Sequence, residues 1–556
     1  MHIFPRWLFT ICGLILVAAA FAACQLQGLD CIDSSDCTDG TVCSLGWCRS
    51  TSTKEGVRQT EASPEKTLEA SQEQQTPEPL EGSENANLDA GPTEQTNPTE
   101  QAPSESTSPE NQCAKAFPLP ALGSVQTFGD DNNQLVKSMA LASNGALFLT
   151  GAENSHIFVS KYTACKEQHW KLVGKGSTGG TVPGGEGIVV TTSNEIILTG
   201  NAKPTSTYGG FSIKNQGPQD TIAIVTAKLQ SQSGNIDWLD VSGGALFDNV
   251  RHLAPGPNDS YYLTGQIRGR SIFGTLSAHK KGGIKQIFVA KMGKEGSFQW
   301  VTVFEGKAPQ EDHPYNSGQG QSVAATPSGN LYAVGQYSHD FAFGSTTLQG
   351  GRQSNCFVTM LDSKGQTQWA QRVYAKSQDG KSNNSARCFN VATDSSGNAY
   401  VSGSFDGVLH AGTLSFTSRG GQDIFVLTYD KKGNPQRGFT IGGSGEDKGN
   451  DIEVDNQGAL YLAANVGQQL WLDGKRVSST LPNNSILVKL TPQGKVLWHR
   501  FVGGTESVAI QDLLLGPNQS LWFTGNFQGN LQWKGQSFPS QGKSDVFVGN
   551  IHRDNP

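Results

Sequence analysis

Seven times between Phe148 and Val548 the chain repeats the same pair of phrases, and this periodicity limits what it can fold into. The first phrase is a strand-forming run with a small terminal residue: Ala146–Gly151, Glu195–Gly200, Ser260–Gly265, Asn330–Gly335, Asn398–Gly403, Ala459–Ala464 and Ser520–Gly525. The second approximates Ile-Phe-Val-x-Lys. It closes at Lys161, Lys228, Lys291, Met360, Thr428, Lys489 and Asn550, in steps of 67, 63, 69, 68, 61 and 61 residues. A repeat of that length, rich in strand formers and punctuated by glycine, has room for four antiparallel strands. The expectation is an all-β, seven-bladed β-propeller over residues 113–556.

Within a repeat the order reads strand, turn, strand, variable loop, strand, turn, strand. One repeat shows it plainly, with strands at Ser322–Thr326, Leu331–Tyr337, Cys356–Leu361 and Gln366–Val373. Trp170, Trp238, Trp300, Trp369 and Trp498 share a slot on the fourth strand, and in the fifth repeat that slot falls at Arg437–Phe439. The chain stops after the third strand of its last repeat, while Ser124–Phe128 matches a fourth strand. That segment is expected to complete the last blade and remove an open edge. Two ladders run along the first strands. Met139, Ile188, Leu253, Val323, Val391, Ile452 and Leu513 are apolar and expected between blades. One position earlier stand Ser138, Gly187, His252, Ser322, Asn390, Asp451 and Asp512, which period-two alternation sends to the opposite side, toward the central channel. His252, Asn390, Asp451 and Asp512 are the candidate binding residues at its mouth.

The chain ahead of the repeats is of three kinds. Residues 1–23 carry Arg6 and the apolar run Leu8–Ala23, which reads as an export signal. The signal meets Cys24 in Phe21-Ala22-Ala23-Cys24, similar to the lipobox of bacterial lipoproteins, with Phe21 where leucine is usual. That resemblance implies lipidation of Cys24, and Gln25 rather than aspartate after it implies the outer membrane or cell surface. Residues 24–49 hold Cys31, Cys37, Cys43 and Cys48, expected as two disulfides in a knot; the zinc alternative lacks CxxC spacing and histidines. Residues 50–112 form an acidic linker. From Thr51 to Gln112 there are 13 acidic residues against Lys54, Arg58 and Lys66, so −10 of the chain's net −7 lies there and the remainder carries about +3. Such a composition cannot bury enough apolar surface to fold and is expected to be a disordered stalk. The near-neutral remainder argues against nucleic acid as partner. Two further disulfides are expected from blade positions, Cys113 with Cys165 and Cys356 with Cys388.

Gly442-Gly443-Ser444-Gly445-Glu446-Asp447, followed by Ile452-Glu453-Val454-Asp455 and Tyr461-Leu462, resembles the bacterial seven-bladed β-propeller repeat family, as does Asp423-Ile424-Phe425-Val426. The resemblance covers essentially 113–556 and is closest in the later repeats. It implies an exported, often adhesive or scaffolding protein and carries over no catalytic residue. Leu490–Trp498 and Leu361–Trp369 are similar to the tryptophan-docking repeat of quinoprotein dehydrogenases, a packing device that implies architecture rather than quinone binding.

No GxSxG, HExxH or phosphate-cradling glycine motif appears, so no cofactor, metal or catalytic set is assigned. Asp451, Glu453 and Asp512 could form a carboxylate pair of glycosidase type or hold a cation, although solvated carboxylates are the commoner outcome. A lone His252 is more often structural than a base. Three functions remain: a membrane-anchored module that binds a protein or glycan through propeller loops, an exported hydrolase or quinoprotein-like enzyme, and a structural part of a cell-envelope assembly. The binding face is expected to bear the loops leading into the first strands, 174–186, 306–320 and 375–387.

Overall fold

The computed structural model describes residues 41–44, 47–50, 123–162, 168–176, 184–214, 221–279, 285–306 and 317–554. The export signal, Cys24, Cys31, Cys37, Cys113, Cys165 and nearly all of the linker lie outside these residues. Of the Cys-rich module, a hairpin of Thr41–Ser44 and Trp47–Ser50 is described, with Cys43 opposite Cys48 in its backbone register.

From Ser124 onward the chain is a ring of antiparallel sheets. The first blade is Gln134–Leu141, Leu147–Glu153, His156–Tyr162 and Gln168–Val173. Each later blade begins with an innermost strand, in order Gly184–Val190, Asn249–Gly256, Ser317–Ala325, Ala386–Thr393 and Lys448–Val454. These innermost strands pack side by side, and Val508–Leu515 of the last sheet meets Gln134–Leu141 of the first. Hydrophobic clusters fill the wedges between neighbouring sheets, and all seven apolar ladder residues are buried there, none more than 4% exposed.

Six blades, not the seven expected, are each complete in a continuous stretch of chain. The remaining sheet is a composite. Its Val508–Leu515, Ser520–Phe527 and Asp545–His552 come from the end of the chain, and Ser124–Phe128 supplies the fourth strand by pairing with Asp545–His552. Nor are the blades uniformly four-stranded. What the sequence suggested as a variable loop between second and third strands is, in five repeats, a short hairpin that pairs with the outermost strand of the preceding blade. Phe341–Phe343 with Thr346–Leu348, for example, extends the sheet ending in Phe298–Gly306. The straps follow an apolar-x-apolar pattern before a glycine turn, as in Leu531-Gln532-Trp533 and Phe341-Ala342-Phe343, and they cover edges that would otherwise present unpaired backbone groups.

The tryptophan slot also ties blade to blade. Trp170, Trp300, Trp369 and Trp498 donate their indole N–H to the carbonyls of Ser231, Ser363, Lys431 and Arg553, at 3.1, 3.0, 3.0 and 2.7 Å, each in the next sheet. The ring lies flat on a turn glycine of that sheet. Gly433, at φ +85°, has no room for a side chain, since a Cβ there would meet Trp369 at 2.6 Å. In the fifth blade Phe439 takes the slot and covers Gly494 in the same way. Cys356 and Cys388 form a disulfide with Cα atoms 5.3 Å apart, joining the third strand of the fourth blade to the innermost strand of the fifth.

Candidate functional site

Every innermost strand carries a register shift at the same level: Val136/Ser138, Gly185/Gly187, Val250/His252, Gly320/Ser322, Cys388/Asn390, Gly449/Asp451 and Ile510/Asp512. A β-bulge leaves one residue unpaired and re-aims it. Here the extra residues are Lys137, Glu186, Arg251, Gln321, Phe389, Asn450 and Gln511. Several of them meet residues of a neighbouring innermost strand. Arg251 Nη1 lies 4.0 Å from Glu186 Oε1, and Lys448 Nζ lies 4.5 Å from the centre of the Phe389 ring. Crowding by protein atoms, then the charges of Lys137, Arg387 and Arg251, holds the Lys448 ammonium below the usual lysine range. Those cations belong to different blades, so their fields meet across the channel. Lys448 itself remains solvent-accessible.

The four residues put forward as channel-mouth ligands sit on these strands, one position past the bulge, and they reach sideways. His252 Nδ1 accepts the N–H of Val323 at 3.3 Å, and burial pushes its imidazole down to about 4, so it is a neutral acceptor between the third and fourth blades. Asn390 meets Ser322 Oγ at 3.3 Å and donates to Asp451. Asp451 accepts the N–H of Leu513 at 2.6 Å, and Asp512 accepts that of Met139 at 2.7 Å. From the third blade round to the first, the polar ladder is therefore a belt of hydrogen bonds from one innermost strand to the next. Sequence alternation located the ladder, but a partner donated by a neighbouring blade leaves no mark in the local pattern.

Asp451, Glu453 and Asp512 come together where the sixth blade meets the composite sheet. Burial raises all three carboxyls above the usual range, with the Asp451 charge next in importance for Glu453 and Asp512, and Asp451 and Asp512 share a hydrogen bond. Among the described residues no group of three or more His, Cys, Asp or Glu is placed to hold a metal ion. A carboxyl whose folded pKa is raised stabilises the fold fully below its unfolded pKa, and that stability is lost as pH rises through the folded value. The ring should therefore lose stability between about pH 4 and pH 8 through this cluster. Asp512→Asn keeps an acceptor for Met139 and a donor for Asp451 while removing one ionisation. Thermal midpoints should be equal for the variant and the parent at pH 4, and higher for the variant at pH 8, each pKa unit of offset being worth about 1.4 kcal/mol. A variant that melts lower at both pH values would show that the carboxyl is not strained by ionisation.

Two openings lie on the face bearing the connections into the first and third strands. One, of about 340 Å³, is lined by Ser377, Gln378, Asn384, Asp406, Gln422 and Glu446. The other, of about 310 Å³, lies between the third and fourth blades and is lined by Phe247, Asn249, Arg251, Lys285, Gln319 and Gln336 among others. The connections from first to second strand on the opposite face are tight turns, such as Thr326–Asn330 closed by Thr326 N–H on the Asn330 carbonyl at 2.8 Å. Of the loops expected to form the binding face, 375–387 is fully described. The other two are described only in part.

No protein-family model matches the chain, and no curated protein does. Solved structures with a similar course of chain include the propeller of Dos1, at 10% identity, 78% of this chain, 96% of that chain and a TM-score of 0.39. The quinohemoprotein alcohol dehydrogenase of Comamonas testosteroni matches at 10% identity, over 78% of this chain and 77% of its own, with a TM-score of 0.39. An ulvan lyase of a polysaccharide lyase family matches at 10% identity, over 77% and 97%, with a TM-score of 0.42. At such scores these likenesses bear on neither activity nor ligand.

Proposed function

We propose that the chain is an exported, lipid-anchored module of the bacterial β-propeller repeat type, held off the outer membrane by its acidic stalk and binding a protein or glycan of the cell envelope. The observation that carries this reading is the asymmetry of the ring. Both openings and the long connections lie on one face, and tight turns close the other. Loops on a rigid scaffold are where recognition is placed at least cost to the fold. An enzyme is the weaker reading, because the carboxyls and the histidine that would serve it are engaged in holding adjacent blades.

The connection 377–382 offers the test. Lys376 pairs with Asn383, so an Asn-Gly turn in place of Ser377–Ser382 preserves the hairpin while removing the wall of one opening. The full chain carrying this replacement should melt within about 2 °C of the parent and capture envelope components at least ~10-fold less well, a loss equivalent to about 1.4 kcal/mol. Equal capture by both would overturn the choice of face.

A further inference from the structure

We propose that the opening between the third and fourth blades is a subsite for a carboxylate-bearing, hydroxyl-rich glycan, such as a uronate unit of an acidic polysaccharide. The proposal rests on the binding reading above and gives that reading a ligand class.

Four features converge on this opening. Its volume of about 310 Å³ is at the small end of the range for ligand pockets, which suits one or two sugar rings rather than a protein side. Among the described residues its lining includes Arg251 and Lys285 and no carboxylate. Glu186 lies 4.0 Å from Arg251, and Asn201 Nδ2 is already committed to the same Glu186 oxygen at 3.2 Å. Arg268 adds a third cation close by, with its guanidinium 5.9 Å from the centre of the Phe247 ring that lines the opening.

Unpartnered polar atoms point to a missing ligand more directly. Asn249 is only 9% exposed, lines the opening, and its Oδ1 has no hydrogen-bond partner. Gln336 Oε1 and Arg251 Nε, in the same lining, have none either. A buried polar atom without a partner costs about 1–3 kcal/mol, and three residues of one small opening each carry such an atom. The set is mixed. Arg251 and Lys285 present cationic donors, which match a carboxylate, and an arginine can hold one through two parallel bonds. Asn249, Gln266, Gln319 and Gln336 present amides, each both donor and acceptor, as a sugar hydroxyl also is. Phe247, partly exposed, supplies a flat apolar wall for a pyranose face. Crowded like charge agrees with this geometry: after burial, the charges of Arg268 and Arg251 hold the Lys285 ammonium below the usual lysine range, a repulsion that a bound anion would relieve. An acidic peptide would match the cations but would leave the ring of amides without the hydroxyls they complement.

The test uses the full chain and two probes, tetragalacturonate and its methyl ester, which keep the same rings and differ in charge. Calorimetric titration should show the acid binding at least 10-fold more tightly than the ester, and weakening as salt is raised from about 0.05 to 0.5 M. Lys285→Gln and, separately, Arg251→Gln should each lower affinity for the acid at least 10-fold while leaving the thermal midpoint near the parent's. Lys285→Gln keeps the test decisive if loss of Arg251 unbalances Glu186. Equal binding of acid and ester, affinity unchanged in both variants, or no binding of either probe would overturn the proposal. If the probes fail while the 377–382 replacement still abolishes capture of envelope components, the ligand class is wrong and the binding face stands. If that replacement has no effect, the binding face itself is wrong.

Discussion

Deleting Ser124–Phe128 from the full chain should lower its thermal midpoint more than any single substitution outside the disulfide. The segment is the outer strand of the composite sheet, paired over five positions with Asp545–His552. Val125 is 7% exposed in the cluster between the sixth blade and this sheet, the Phe128 ring lies 4.2 Å from that of Tyr162 in the first blade, and Trp533 Nε1 donates to the Gly123 carbonyl at 2.6 Å. Net hydrogen bonds of about 1 kcal/mol each and the burial of Val125 at roughly 1.5–3 kcal/mol give a loss on the order of 5 kcal/mol. The deletion also bares Asp545–His552 as an edge. Calorimetry should show an earlier, broader transition, and light scattering should show self-association of the deleted chain. A midpoint unchanged within error would mean that the composite sheet does not close the ring.

Removal of the Cys356–Cys388 bridge should have the next largest effect. Both sulfurs are buried, and the bridge spans 32 residues between two blades that already share a hydrophobic cluster. Replacing both cysteines by alanine should cost about 2–4 kcal/mol, since the unfolded chain regains the freedom of that loop. Denaturant titration should show a lower midpoint, and adding reductant to the parent should reproduce the shift. If non-reducing peptide mapping recovers the two cysteines as free thiols, the expected shift disappears with the bridge.

The legible part of this fold is what repeats locally. The spacing of glycine turns, the apolar ladder from Met139 to Leu513 and the tryptophan slot all follow from residues that meet their partners at a fixed offset in sequence. Cys356 and Cys388 were pairable because each marks a known position in neighbouring blades. The straps were not legible as strands, since three residues such as Phe341–Phe343 carry too little pattern and their partner belongs to the preceding repeat. The borrowed strand Ser124–Phe128 is legible in its match to a fourth strand, but the number of blades is not, because a repeat counted along the chain need not close a blade of its own. The candidate site was half visible. His252, Asn390, Asp451 and Asp512 were found by alternation, but the bulge before each of them depends on pairing register, which the strand's own sequence does not encode.

That bulge separates two demands usually bound together. A residue inside a strand answers to both faces of its sheet, so changing it disturbs the packing. Lys137, Glu186, Arg251, Gln321, Phe389, Asn450 and Gln511 stand outside the pairing of their strands, and they comprise two cations, an acid, three amides and an aromatic ring. The ring can thus be re-lined one position at a time with the strand pairing left in place, apart from side chains such as Asn450, whose Nδ2 donates to the Ile510 carbonyl of the next strand at 2.7 Å. The bore is a register of interchangeable letters, and a new specificity needs a new spelling there rather than a new fold.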